Sequence, residues 1–361
     1  MSTLTNALPV TAASSHCCFC SMQCGIELVP GEKGAGLTVK PSQHFPVATG
    51  RLCQKGLNAL DHVLHEERVL APLARSGGGW RQAGWSEAIG GIAAEIQRIQ
   101  AQYGRDAVSV YGGGSLTNEV CYLLGKFTRV ALRSKYIDYN GRYCMSSAAA
   151  AASRAFGLDR GMTFPLSDIP LASYIILAGT NIAECQPTMV PYLLEAKKNG
   201  AIIVTIDPRN TMTSKLADIH VRLQPGFDSV FVNGLLHVIV QEGLYDRKFT
   251  EERTHGFAQL AEAVKPYTPS YVEELTGVLE AVTRTIARGF AKAQRGIVMT
   301  ARGLEQQSNG VENTLNYINL ALLTGNVGSG VRLRRRHRAG EWARRPGARP
   351  ESGPAAGVSI D

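Results

Sequence analysis

The sequence predicts an α/β protein: a small cysteine-rich N-terminal domain, then a region built on a parallel sheet with helices on both faces. Two features carry this expectation. From Trp85 onward, short apolar runs alternate with segments of helical periodicity, as β-α-β units do. Before that point, five of the eight cysteines fall within residues 17–53, a stretch too short to build much core without a staple. The chain has 361 residues, 44% hydrophobic and 19% charged, which excludes a mainly disordered chain, a disulfide miniprotein and a collagen-like repeat.

The elements follow in order. Residues 1–15 are a small, polar lead-in. Residues 16–66 form the cysteine domain, with strand-like runs at Gly25–Pro30 and Leu37–Val39. Residues 67–330 form the α/β region. Ser86–Tyr103 carries Ile89, Ile92, Ala93, Ile96 and Ile99 at helical spacing. Ala107–Tyr111 reads as a strand ending at Gly112-Gly113-Gly114, and Asn118–Ala131 as a helix. Strands are expected at Tyr174–Ala178, Ala201–Ile206, His220–Leu223 and Gly296–Thr300, with helices at Met189–Asn199, Asp228–Glu242 and Asn313–Leu323. Parallel sheets bind ligands at the carboxyl ends of their strands. The loops Gly112–Ser115, Gly179–Glu184, Asp207–Asn210 and Arg302–Gln306 are all expected at that edge.

Charge and hydropathy narrow the function classes. The net charge is +8, but residues 331–361 hold eight Arg and no Lys against three acids. That tail supplies +5 and leaves +3 for the first 330 residues, so the body is not expected to bind nucleic acid. No apolar run reaches the roughly 18 residues of a membrane span. Residues 1–15 lack Lys and Arg, so neither a secretory nor a twin-arginine signal is expected. The expected compartment is the cytoplasm, with no membrane partner.

The cysteine spacing is Cys17-x2-Cys20-x3-Cys24, then 28 residues, then Cys53. Four thiolates suit a [4Fe–4S] cluster, one per iron. The rivals are a structural zinc site, which prefers two separated C-x2-C pairs, and buried free cysteines. Cys18 falls outside the ligand set. Lys55 lies two residues past Cys53. An ammonium there favours the reduced state of an anionic cluster and can donate to a second redox cofactor; the alternative is a solvated surface lysine.

The block His16–Gly25 and the element Cys53-Gln54-Lys55-Gly56 resemble the bis-molybdopterin-guanine-dinucleotide oxidoreductases of the DMSO reductase superfamily. The resemblance runs from about residue 16 to about residue 328. It implies that Cys17, Cys20, Cys24 and Cys53 hold the cluster, with Lys55 between cluster and pterin. Within Asn140-Gly141-Arg142-Tyr143-Cys144-Met145, Cys144 matches the molybdenum ligand, a role suited to a soft thiolate. Taken alone, Cys144 reads as a buried small apolar residue. Met145 resembles the nitrate reductase branch, since formate dehydrogenases of the family usually have His there. Asn140 matches a pterin contact. Gly179, Thr180, Asn181 and Glu184 lie in a strand-to-helix loop suited to a pyrophosphate. Asp207 and Arg209, then Gly226 and Asp228, resemble guanosine-side loops. Arg302 and Gln306 match a loop near the metal, where a guanidinium suits an oxyanion. Ser115, after the glycine run, is the weakest cofactor candidate.

The resemblance implies a [4Fe–4S] cluster and molybdenum bis-molybdopterin guanine dinucleotide as cofactors. It implies an oxidoreductase reducing nitrate, with a small oxyanion as substrate and an electron-donor protein or reductase subunit as partner. The rivals are a formate dehydrogenase or another oxyanion reductase, a non-catalytic iron–sulfur fragment, and a zinc protein whose basic tail binds nucleic acid.

The family continues well beyond this length. After Gly325-Asn326-Val327-Gly328 the composition turns Arg-, Gly-, Pro- and Ala-rich, and residues 331–361 read as a disordered, aberrant tail. Codons can be chosen for Val331 through Ser359 so that the frame displaced by one base resembles the family's next segment, including its Thr-Gly-Gln-x-Asn element. The expectation is a frameshift near residues 328–331 and a chain that lacks one wall of its cofactor cleft. DNA sequencing across the codons for Gly325–Arg338 checks it. The displaced frame should encode the family's continuation; an unrelated displaced frame would contradict it.

Overall fold

The computed structural model describes residues 12–31, 36–159, 162–327 and 358–359. The chain divides into two compact units, residues 1–143 and residues 144–361.

The first unit opens with β1 (Ala13–His16), β2 (Gly25–Pro30) and β3 (Leu37–Pro41), an antiparallel sheet in that order. His16 pairs with Gly25, so the cysteine loop 17–24 is the connection of a hairpin. Gly25 is required by close approach: a Cβ there would lie 2.2 Å from the Cβ of Phe45. A second hairpin joins β4 (Leu73–Ser76) to β5 (Gly79–Gln82). Its two turn residues, Gly77 and Gly78, have φ of 55° and 85°, the positive pair that a tight hairpin turn demands. The helix Trp85–Tyr103 follows. β6 (Val110–Gly112) then pairs in parallel with β7 (Ile137–Tyr139). Between them the helix Asn118–Lys126 runs on as a π-helical segment, Phe127–Leu132.

The helix Trp85–Tyr103 is amphipathic, yet none of its residues is buried. Trp85, Ile89 and Ile92 are 67%, 61% and 63% exposed. Ile96 and Ile99, farther along the same stripe, are half-buried.

The second unit is closed around a core. Its strands are β8 (Tyr174–Ala178), β9 (Ile202–Ile206), β10 (Ile219–Val221), β11 (Thr254–His255) and β12 (Gly296–Thr300). Four of them form one parallel sheet in the order β10-β9-β8-β12. Every residue of β8 is buried, as expected of a strand covered on both faces. The helices Val190–Lys198, Asp228–Gln241, Glu280–Lys292 and Gly310–Leu323 alternate with or follow the strands. Phe231, Leu235, Leu236, Phe290 and Tyr317 pack with Ile176 and Val204 in one cluster. Tyr174 meets Phe290 edge-on, with ring centroids 6.1 Å apart.

Several sequence expectations need correction. Residues 105–107 form a 3-10 turn, so β6 starts at Val110 rather than Ala107. β10 spans Ile219–Val221 rather than 220–223. Most consequential, β6 pairs with β7 in the first unit, so Gly112–Ser115 follows a strand of a two-stranded sheet separate from that of β8, β9 and β12. β6 is short and only partly buried; it lacks the continuous apolar run that buries a strand in a parallel sheet. The tail expectation for residues 331–361 lies outside the described residues. The exception is Val358–Ser359, which pairs in parallel with β11.

Candidate functional site

In the first unit the hairpin loop presents the cysteines. Cys17 and Cys24 are buried, Cys20 is half-buried and Cys18 is exposed. The Cys17 amide donates to the Cys24 carbonyl at 2.8 Å, and the Gln23 amide to the Cys20 carbonyl at 3.1 Å. Gln23 takes a left-handed φ of 43° to make this turn. Cys53 caps the short helix Gln54–Leu57. Gly56 on that helix is buried, and a Cβ there would lie 3.6 Å from Cys17 Sγ. The Cys53 helix therefore lies within contact distance of Cys17. Burial pushes the Cys17 thiol up, a backbone hydrogen bond at Phe19 opposes this, and the thiolates of Cys18, Cys20 and Cys24 add to the rise. Cys17, Cys18, Cys20 and Cys24 thus share one neighbourhood in this loop. Among the described residues, no three His, Cys, Asp or Glu side chains converge on one point as a single ion needs. A four-iron cluster spreads its thiolates farther apart than one zinc ion does. Lys55 is exposed on the capped helix, and Ser115 and Asn140 are exposed at the ends of β6 and β7. The Asn140 amide donates to the Gly112 carbonyl at 3.3 Å.

In the second unit a cavity of about 430 Å³ opens at the carboxyl ends of β8, β9 and β12. Two glycines build its floor. The Gly303 amide donates to the Gly179 carbonyl at 2.9 Å. A Cβ on Gly179, whose φ is +59°, would lie 2.7 Å from the Leu304 nitrogen, and one on Gly303 would lie 2.7 Å from the Gly179 Cα. Two strand-end loops thus cross backbone on backbone, as a cradle for a ligand's phosphates requires. Asn181 is held by Thr213, whose Oγ1 donates to Asn181 Oδ1 at 2.8 Å and accepts from the Ala183 amide at 2.9 Å. Asp207 Oδ1 accepts from the Arg209 amide at 2.8 Å, and the Asp207 carbonyl lies 2.9 Å from His220 Nε2.

Of the residues singled out from sequence, Gly179, Thr180, Asn181, Asp207, Arg209, Asp228 and Arg302 line this cavity. Glu184 and Gly226 stand beside it, exposed. Arg302 pairs with Glu305, a carboxylate only 3% exposed that also accepts from Thr300 Oγ1 at 3.0 Å. An anion at Arg302 therefore shares the guanidinium with Glu305. Gln306 does not line the cavity; its Nε2 donates to the Cys144 carbonyl at 3.1 Å. Cys144 is half-buried and ends the short helix Gly141–Cys144. Met145 separates it from the helix Ser146–Phe156. Sequence reasoning missed Cys185, Gln186, Pro225 and Gln307, which also line the cavity. Gln307 was one position from a chosen residue, and both glutamines follow the short helix Arg302–Glu305.

Asp228 begins the helix Asp228–Gln241 and is 7% exposed. Burial pushes its carboxyl up, a hydrogen bond from Gln307 opposes this, and the charge of Asp207 adds to the rise. Glycine cradle, carboxylate acceptors and two guanidinium groups match the phosphates, sugar and base of a nucleotide-bearing cofactor.

Comparison with known proteins identifies the family. The molybdopterin oxidoreductase model matches residues 68–344, and the molybdopterin oxidoreductase Fe4S4 domain matches residues 10–65. The chain belongs to the molybdopterin oxidoreductase family, whose cofactors are a [4Fe–4S] cluster and a molybdopterin. It is 44% identical over 321 residues to the assimilatory nitrate reductase catalytic subunit of Bacillus subtilis, covering 87% of this chain and 44% of that protein. It is 32% identical over 312 residues to the F420-dependent formate dehydrogenase subunit alpha of Methanocaldococcus jannaschii, covering 86% and 45%. The acetylene hydratase of Pelobacter acetylenicus superposes with a TM-score of 0.76 at 25% identity, over 87% of this chain and 43% of that one. The chain spans about half the length of the curated relatives it matches. Among the described residues, no helix is long and apolar enough to cross a membrane.

The Asp228 environment makes a prediction. Its folded-state pKa is raised, so the folded chain holds this proton more tightly than the unfolded chain. Stability from this group is fullest below the unfolded Asp value and is lost as pH rises through the folded one. Asp228→Asn keeps an acceptor for Gln307. It should flatten that part of the stability-versus-pH curve and raise stability at neutral pH, measured by urea denaturation across the acid range.

Proposed function

We propose that this chain is the cluster- and nucleotide-binding part of a cytoplasmic molybdenum nitrate reductase of assimilatory type. The observation that carries the reading is the 44% identity with an assimilatory nitrate reductase subunit, in a chain that also has Met145 after Cys144. Similarity to the formate dehydrogenase subunit is lower, at 32%. Residues 16–66 form the cluster domain and residues 67–330 an α/β region.

Cys17, Cys20, Cys24 and Cys53 hold the cluster where electrons enter from a donor protein or reductase subunit. Lys55 places a positive charge on the Cys53 helix and favours the reduced cluster. The loop Gly179–Asn181 offers backbone N–H groups to a diphosphate, with Arg209 and Arg302 as cations and Glu184 at its rim. Asp207 and Asp228 accept hydrogen bonds from ribose and base, and Gly226 gives the chain room to turn between them. Asn140 and Ser115 contact the pterin. Cys144 offers the metal a thiolate, and Gln306 steadies it through the Cys144 carbonyl. Bound molybdenum supplies the oxygen-atom transfer that converts nitrate, with two electrons and two protons, to nitrite and water. On this reading the protein's own residues bind, orient and tune.

Metal analysis of the chain purified without oxygen tests the cluster assignment. About four iron and four sulfide per chain are expected. Serine at position 17, 20, 24 or 53 should lose them, whereas Cys18→Ser should keep them. Zinc without sulfide would overturn the assignment.

A further inference from the structure

The cluster loop holds one thiol more than its ligand set uses. Cys18 is exposed, whereas Cys17 and Cys24 are buried and Cys20 is half-buried. The loop 17–24 is drawn tight by its own backbone. The Cys17 amide donates to the Cys24 carbonyl and the Gln23 amide to the Cys20 carbonyl, and the chain bends at residues 18–20. Cys17 feels the charges of Cys18, Cys20 and Cys24, so all four thiols crowd one loop.

Geometry selects the partner of Cys18. A disulfide joins residues whose Cα atoms lie about 4.4–6.8 Å apart. Cys17 is adjacent in sequence, and neighbouring Cα atoms are held at about 3.8 Å, too close for an unstrained bridge. Cys24 is buried and bonded into the base of the loop. Cys53 stands on a separate segment, and its helix makes contact with Cys17. Cys20 is two residues from Cys18. Fully extended, such a pair spans about 7 Å, and the bend at residues 18–20 shortens the span into the disulfide range.

Exposure decides the order of events. Oxidation of a cysteine follows the oxidant's access to it, and Cys18 is the exposed cysteine of the loop. Its sulfur takes one oxygen from a hydroperoxide: the O–O bond breaks, Cys18 becomes a sulfenic acid and, from hydrogen peroxide, a water leaves. The Cys20 sulfur then attacks that of Cys18, the S–O bond breaks and a second water leaves. Two thiols and one hydrogen peroxide thus give one disulfide and two waters, with two electrons passing from sulfur to the peroxide oxygens. A dithiol reverses the bond by exchange, so in a reducing compartment it is transient, as redox-sensing disulfides are.

We propose that Cys18 is a peroxide-sensing thiol that captures Cys20 in a Cys18–Cys20 disulfide and so closes the cluster-free loop to cluster assembly. The proposal rests on the reading of Cys17, Cys20, Cys24 and Cys53 as the cluster ligands, because a Cys20 sulfur held in a disulfide has no thiolate to offer iron.

The test uses the full 361-residue chain, freed of iron by a chelator in the presence of a dithiol, cleared of both, and exposed briefly to hydrogen peroxide. Thiol mapping by mass spectrometry should find Cys18 and Cys20 joined, in a peptide lighter by two hydrogens, with Cys17 and Cys24 still open to alkylation after unfolding. A [4Fe–4S]-loaded carrier protein is then offered without oxygen or added thiol, and iron transferred to the chain is counted. The oxidised parent should lose most of its iron uptake, and dithiothreitol should restore it. Cys18→Ser, treated alike, should keep its uptake, because the loop then presents no exposed thiol to the peroxide. A bond between other cysteines, no bond at all, or an equal loss in Cys18→Ser overturns the inference and leaves the cluster assignment standing. Failure of the untreated, reduced parent to take up iron overturns the cluster assignment itself, and the inference with it.

Discussion

The backbone crossing of Gly179 and Gly303 is the constraint on which the nucleotide cavity depends. β8 and β12 are neighbours over their full length, with Tyr174 opposite Gly296 and Ala178 opposite Thr300. Just past their ends the two chains stay in contact, because neither residue has a side chain to hold them apart. That contact sets where the turn Arg302–Glu305 begins, and so where Arg302 and Gln307 stand relative to Asp207 and Asp228. Any side chain at either glycine would meet backbone atoms, which cannot yield as a flexible side-chain tip can.

The two units meet the hydrophobic requirement differently. In the second, Phe231, Phe290 and Tyr317 are fully buried with the sheet. In the first, a nineteen-residue helix keeps the N-terminal part of its apolar stripe, Trp85, Ile89 and Ile92, exposed. Large exposed apolar patches on soluble proteins mark surfaces that take part in association.

Much of this was legible in the sequence for physical reasons. β8 and β9 read Tyr-Ile-Ile-Leu-Ala and Ile-Ile-Val-Thr-Ile, and only strands covered on both faces carry such unbroken apolar runs. The cysteine loop was legible because ligand spacing is a local property. β6 was misplaced because Val110-Tyr111-Gly112 is too short to declare its sheet. Gln307 was missed for its neighbour Gln306 because which of two adjacent glutamines past a short helix faces a cavity leaves no trace in composition. The partners of Asn313, a fully buried amide, were invisible, since residues 229, 304 and 307 meet it only through the fold.

The central claim is that loops from three parallel strands and one helix start form a single nucleotide site. Hydrogen exchange of the full chain, with and without saturating GDP, tests it most directly. The account requires that residues 179–181, 207–209, 225–228 and 301–307 gain protection together, while the helix 85–103 is unchanged. Protection confined to one of these loops, or appearing only elsewhere, would contradict it.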